Sequence, residues 1–206
     1  NALAPILAQH YGARRYDEVG RMWGQAIWLS LALSVLGGAL TCWPDAWLAL
    51  SGDVDAGVRG RMADYLLALT LALPAALMFL AIYDLGNAVS RPRFVMGINL
   101  AAIVVKALFN WLLIFGNLGL PAMGAAGAGV STALVDWLAL AAGLWFVTRD
   151  GGFRVFRLRL GLPQWPALKE LLRLGLPMGG SYLVEVVAFT FMALLVAREG
   201  SHALGG

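Results

Sequence analysis

The chain has 206 residues, of which 60% are hydrophobic, 25 are glycine and only 13% are charged, where an ordinary globular domain is roughly half apolar and one quarter charged. That excludes a water-soluble domain. A single cysteine, Cys42, and the lack of any glycine period exclude a disulfide scaffold and a collagen-like fibre. The net charge of +3 is too small to suggest nucleic acid as a partner, and what remains is an all-α, polytopic membrane bundle.

About 20 predominantly apolar residues take a helix across the hydrocarbon core. Asn1 to Ala8 reads as the tail of one span, leading into a polar loop over 9–22. The absence of an initiating Met and of a basic signal region suggests a fragment of something longer. Trp23 to Trp43 and Tyr65 to Tyr83 are uncharged spans. Phe94 to Phe115 carries Lys106 alone, Ala122 to Thr148 carries Asp136, and Leu174 to Ala197 carries Glu185. Pro74 should kink the second of these, with neighbouring helices re-satisfying the freed carbonyl. Pro121 and Pro177 fall near span starts, where a missing N–H costs little. Trp23, Trp43, Trp47 and Tyr65 are placed at interface depth, as an aromatic belt. The run Gly124-Ala125-Ala126-Gly127-Ala128-Gly129 has the small-residue spacing that lets helix backbones approach closely; its first three residues read equally well as a loop end.

Segments 9–22, 84–93 and 149–173 hold eleven Lys and Arg, against three on the opposite side, so the first set is expected in the cytoplasm. In the long connection 149–173, Trp165, Leu168 and Leu172 share one helical face, which predicts a short amphipathic helix on the membrane surface. The connection divides the chain into 1–148, a linker 149–173, and 174–206.

Chemistry of the soluble kind finds no footing. Lys106 and Lys169 are followed by Ala and Glu, so there is no phosphate-binding loop. Cys42 has no second thiol, and His10 and His202 fall on opposite sides, so no metal site or catalytic pair is expected. The three charges inside spans are the informative residues, since charge in hydrocarbon costs several kcal/mol unless paired or wetted. Lys106 is thirteen residues past Arg93, Asp136 thirteen before Arg149, and Glu185 twelve past Arg173. At 1.5 Å per residue each lies ~18–20 Å from its anchor, in one layer. Asn99, Lys106 and Asn110 share a face; Thr132 stands four residues before Asp136, and Ser181 four before Glu185. An ion pair between Lys106 and Asp136, structural or functional, and reversible binding of a proton or cation by Glu185 are the expectations.

These features resemble the multidrug and toxic compound extrusion (MATE) family, in particular its bacterial NorM-like branch. The resemblance rests on Ala8-Gln9-His10-Tyr11-Gly12-Ala13 with Val19-Gly20-Arg21 and Gln25-Ala26-Ile27-Trp28, and on Asn110-Trp111-Leu112-Leu113-Ile114-Phe115-Gly116 followed by the glycine-alanine run. Leu174-Gly175-Leu176-Pro177, with Glu185 and Phe189, completes it. It implies a two-lobe transporter of twelve helices, with this chain running from the end of the second helix to the seventh. It further implies a monomeric antiporter in the bacterial inner membrane that exports cationic or amphipathic compounds, driven by proton or sodium, without another cofactor. Glu185, Asp136 and Lys106 are then the coupling candidates, and Asn110, Asn99, Thr132, Ser181, Phe189 and Met192 the cavity lining. Lys106 stands where the family often has asparagine and Asp136 where a neutral residue is usual, which favours proton coupling. An exporter of lipid-linked sugars, of related fold, is the alternative, although such proteins line their cavities with arginines and no span here holds one. A membrane enzyme lacks its polar cluster, and a purely structural subunit gives no reason for three charges at one depth.

Overall fold

The structure is a computed structural model and describes residues 2–41, 56–117 and 122–203. Among them are seven helices and no strand: α1 Leu3–Gly12, α2 Tyr16–Thr41, α3 Ala56–Ala88, α4 Pro92–Phe115, α5 Ala125–Arg149, the single turn α6 Gly151–Arg154, and α7 Trp165–Ala203. Five are long and apolar enough to cross a membrane: α2, α4, α5, Ala63–Ala88 of α3 and Trp165–Met192 of α7. Cys42, Trp43, Trp47, Pro121 and the final Gly205-Gly206 lie outside the described residues, as does most of the 44–64 loop.

The helices outrun the apolar segments that mark them. The loop over 9–22 contracts to Ala13–Arg15, because Asp17 and Glu18 fill the first turn of α2, where carboxylates meet the positive helix end. Arg21 then closes back on Glu18 at 2.9 Å. The 84–93 segment contracts likewise: α3 continues to Ala88, and Pro92 opens α4 where no N–H is needed. In both turns one non-glycine residue takes the left-handed conformation, Arg14 at φ 57° and Ser90 at φ 59°.

α7 departs further from expectation. The stretch 165–173 is not a separate surface helix but the first turns of one 39-residue helix with Pro177 inside it. Its buried face carries Ala167 and Leu171, while Trp165 is 68% exposed and Leu168 and Leu172 are half-buried. Large side chains are thus displaced from the contact by smaller ones that let the helix seat on the bundle, as Gly175 does against Ala2.

α3 is the centre of the bundle, packed against α1, α2, α4 and α5. Glycines mark its contacts: a Cβ on Gly129 would lie 3.0 Å from that of Ala68, and one on Gly143 3.1 Å from Ile82. Gly127 faces the α4 backbone, with the Leu113 carbonyl oxygen 2.6 Å from where its Cβ would be. The glycine-alanine run therefore serves two helix contacts, as its spacing implies. At the Pro74 kink, a neighbour does supply a donor: Trp137 Nε1–H bonds the Leu71 carbonyl at 3.1 Å. Trp23 is not an interface residue; it is 5% exposed in the core, its Nε1–H without a partner.

Most of the core lies toward one end, where Ile6 and Leu7, Met22 and Ile27, and Ile82 and Leu85 meet Phe153 and Phe156. The same end gathers the three basic segments. Arg91 reaches Asp150 at 2.7 Å, Arg157 stands 3.8 Å from Asp17, and Arg21 bonds Gln164 at 3.0 Å. The shared sidedness read from Lys and Arg is therefore a physical junction, here termed the basic end. Asp150 caps α6 by accepting from the Gly152 N–H at 2.9 Å, and this bond, with the Arg91 charge, holds its carboxyl below the usual carboxylate range.

Segment 157–164 is seated on α2. Gly20 and Gly24, four apart, lie under the carbonyl oxygens of Phe156 and Arg159, each of which a Cβ would overlap. Gln25 donates to the Leu162 carbonyl at 3.0 Å and accepts from the Gln164 N–H at 2.7 Å. Trp28 donates to the Gly161 carbonyl at 2.8 Å. Ring contacts running from Tyr11 and Tyr16 through Phe156 and Phe153 to Phe146 and Phe94 extend the seam.

Candidate functional site within the α4–α5 pair

Two anchors fix the antiparallel register of α4 and α5. At the basic end Phe94 and Phe146 stack with centroids 4.6 Å apart and planes within 4°. Toward the other end the Ser131 hydroxyl donates to Asn110 Oδ1. Lys106, four residues before Asn110, therefore falls level with Asp136, five beyond Ser131. The equal depth read from the sequence holds for this pair.

The direct ion pair does not form. The charge of Lys106 acts on Asp136, but the lysine is exposed and no contact of ion-pair length joins them. The cause is helical geometry: Asp136 lies on the seven-residue stripe Gly129, Asp136, Gly143, whose glycines pack on α3. The carboxylate is thereby turned toward the α3–α5 seam and half-buried, while Lys106 stands clear on α4.

Other expected residues divide. Asn110 is in place beside Ser131, which is fully buried and which sequence reasoning passed over, although it adjoins Thr132. Thr132 and Ser181 spend their hydroxyl protons on their own helices, on the Ala128 carbonyl at 2.9 Å and the Pro177 carbonyl at 3.1 Å. Asn99 is half-buried on α4. Ser181, Glu185, Phe189 and Met192 are not brought to the α4–α5 pair: every α7 residue from Leu176 to Met192 is exposed.

Asp84 was assigned to a loop and lies instead inside α3, 4% exposed. It borders a cavity of about 180 Å³ with Ser30, Leu33, Leu171 and Gly175. The signal was available, since Pro92 marks where the next helix opens and nothing before Ser90 breaks the preceding one. Among the described residues no three His, Cys, Asp or Glu side chains come together to hold a metal.

Long apolar helices tightly joined through glycines, with opposite charges at one depth, define a polytopic α-helical membrane protein with polar groups inside its spans. The MatE family profile matches residues 1–112, and the chain belongs to that family. It is 42% identical over its whole length to the probable multidrug resistance protein NorM of Aromatoleum aromaticum, and 38% identical over 97% of its length to that of Neisseria meningitidis. It spans 44% of the length of both relatives. The crystal structure of the eukaryotic MATE transporter AtDTX14 shares the fold, with a TM-score of 0.82 and 21% identity, over 94% of this chain and 42% of that one. The MATE transporter NorM-NG, in complex with a drug and a monobody, superposes with a TM-score of 0.74 and 30% identity, over 95% of this chain and 43% of that one.

Proposed function

We propose that the chain forms the first lobe, the connecting linker and the opening helix of the second lobe of a multidrug exporter, divided as 1–148, 149–173 and 174–206. The observation that carries this reading is the pair of opposite charges, Lys106 and Asp136, held level within otherwise apolar helices of a MatE-family chain. Unneutralised charge at such depth is costly and marks solute routes in membrane proteins. The names of the NorM relatives and the drug bound to NorM-NG support cationic or amphipathic drugs as substrates.

The basic end faces the cytoplasm on this reading, as eleven exposed Lys and Arg require, in a bacterial inner membrane. Transport proceeds by alternating access, a monomer exchanging drug for proton or sodium. Glu185 binds the coupling ion, Asp136 and Lys106 set the charge of the first-lobe cavity, and Asn110 and Asn99 line it. Phe189 and Met192 offer apolar contact to drug, and the acceptor lone pairs of Thr132 and Ser181 complete the polar stripe.

Drug-driven ion flux in proteoliposomes of the whole protein, with and without sodium, tests coupling. Glu185→Gln should abolish both flux and drug resistance at unchanged membrane expression; wild-type resistance in that variant refutes the assignment. Asp136→Ala and Lys106→Ala should each impair transport more than the double variant, since each alone leaves an uncompensated charge. Independent effects would remove the functional link between them.

A further inference from the structure

Two cavities meet end to end along the α4–α5 pair. One is a groove of about 500 Å³ walled only by apolar residues, among them Gly97, Ala101, Val105, Leu138 and Ala142. The other, of about 490 Å³, opens at the basic end between Ser90, Arg91, Pro92, Arg93 and Asp150. The stacked rings of Phe94 and Phe146 border both, so a ligand can pass from one into the other. None of Asn99, Lys106, Asn110, Thr132 or Asp136 lines the groove; it is separate from the polar stripe assigned to transport.

The dimensions and charges select the occupant. From Phe94 to Val105 is eleven residues, a rise of about 16 Å, close to the ~15 Å hydrocarbon depth of a single leaflet. At the mouth, Arg91 is engaged by Asp150 at 2.7 Å, whereas Arg93 is exposed and has no ion-pair partner among the described residues. The mouth is therefore net positive, which repels an amphipathic cation and attracts an anionic head carrying an apolar tail.

We infer that this composite cleft binds an anionic phospholipid from the leaflet at the basic end, its phosphate on Arg93 and one acyl chain in the groove. The inference rests on α4 crossing the bilayer and is independent of the transport reading. Binding here fastens a lipid to a helix that buries only Val95 among its own residues.

Native mass spectrometry of the whole purified protein, given phosphatidylglycerol or phosphatidylcholine with identical chains, decides it. Wild type should retain the glycerol lipid about fivefold more, the selectivity expected of one arginine at a membrane surface. Arg93→Gln should reduce that retention to the level of the choline lipid. Gly97→Leu should reduce both lipids without lowering Tm, because a side chain there meets nothing within 4 Å and leucine favours helix over glycine. Equal retention of the two lipids by wild type, a preference that survives Arg93→Gln, or full retention by Gly97→Leu would overturn the proposal. Displacement of phosphatidylglycerol by equimolar inorganic phosphate would also overturn it, by assigning the mouth to a free anion.

Discussion

Gln25 is 1% exposed and grips segment 157–164 through both ends of its amide, donating to Leu162 and accepting from Gln164. Gln25→Ala removes both bonds and leaves a backbone carbonyl and a backbone N–H without those partners. At a net value of about 1 kcal/mol for each bond, the seated segment loses about 2 kcal/mol. That is ~30-fold in its opening equilibrium. The Trp28 bond to Gly161 and the Arg21 bond to Gln164 remain, so the rest of the bundle should stay folded. Arg159 is an exposed trypsin site whose cleavage requires its backbone to lift from α2. With the protein in detergent and protease dilute enough for reclosing to outrun cleavage, the cleavage rate follows that equilibrium. Gln25→Ala should be cut at Arg159 about 30 times faster than wild type, with cutting at Arg173 in α7 unchanged. A rate within twofold of wild type would show that the segment is held by something other than this amide.

Gly24→Ala should act on the same seat by pushing a methyl group into the Arg159 carbonyl, at a cost of about 1–3 kcal/mol in thermal unfolding. Combined with Gln25→Ala it should cost less than the two singly, because the segment is released only once. Gly127→Ala should destabilise by a similar amount, with Leu113 O only 2.6 Å from the new Cβ. Gly97→Ala, which meets nothing within 4 Å, should instead be neutral or stabilising by up to ~1 kcal/mol. Thermal shift assays on both variants check the contrast. The Asp150 carboxyl is held below its ordinary range by the Gly152 N–H and by Arg91. A depressed folded value contributes stability that is present above the unfolded value and is lost as pH falls through the folded one. The Arg91–Asp150 contact should thus persist through the usual carboxylate range and release only below it, which a pH series of hydrogen exchange at Gly152 would follow; release near neutral pH would contradict the assignment.

The spans were legible because hydrocarbon admits few charges, and the runs from Trp23, Tyr65, Phe94, Ala122 and Leu174 carry at most one each. Their ends were not, since a helix leaving the hydrocarbon can continue through charged sequence. α2 does so with Asp17 and Glu18 against its positive end, and the extension of α3 to Ala88 turned Asp84 from a loop residue into a buried one. The pairing of Lys106 with Asp136 was legible as depth but not as direction, because the orientation of Asp136 is set by glycines seven residues to either side and by the helix they touch. The seat of the linker was the least visible. Gly20, Gly24 and Gln25 carry no distinctive chemistry, and only the four-residue glycine spacing hinted that another backbone would lie across them. Ser131 illustrates the same limit: a hydroxyl in a span reads identically whether it bonds its own helix, as Thr132 does, or reaches across to Asn110 as well.

The two anchors of α4 leave it like a beam clamped at both supports, by the ring stack near Phe94 and by the Asn110 bond farther along. Between the clamps the lysine stem swings freely over a fixed backbone. A change of charge opposite it is therefore met by rotation of one long side chain, on the timescale of rotamers rather than of helices. The lobe can respond electrically at mid-height without surrendering the packing that defines it.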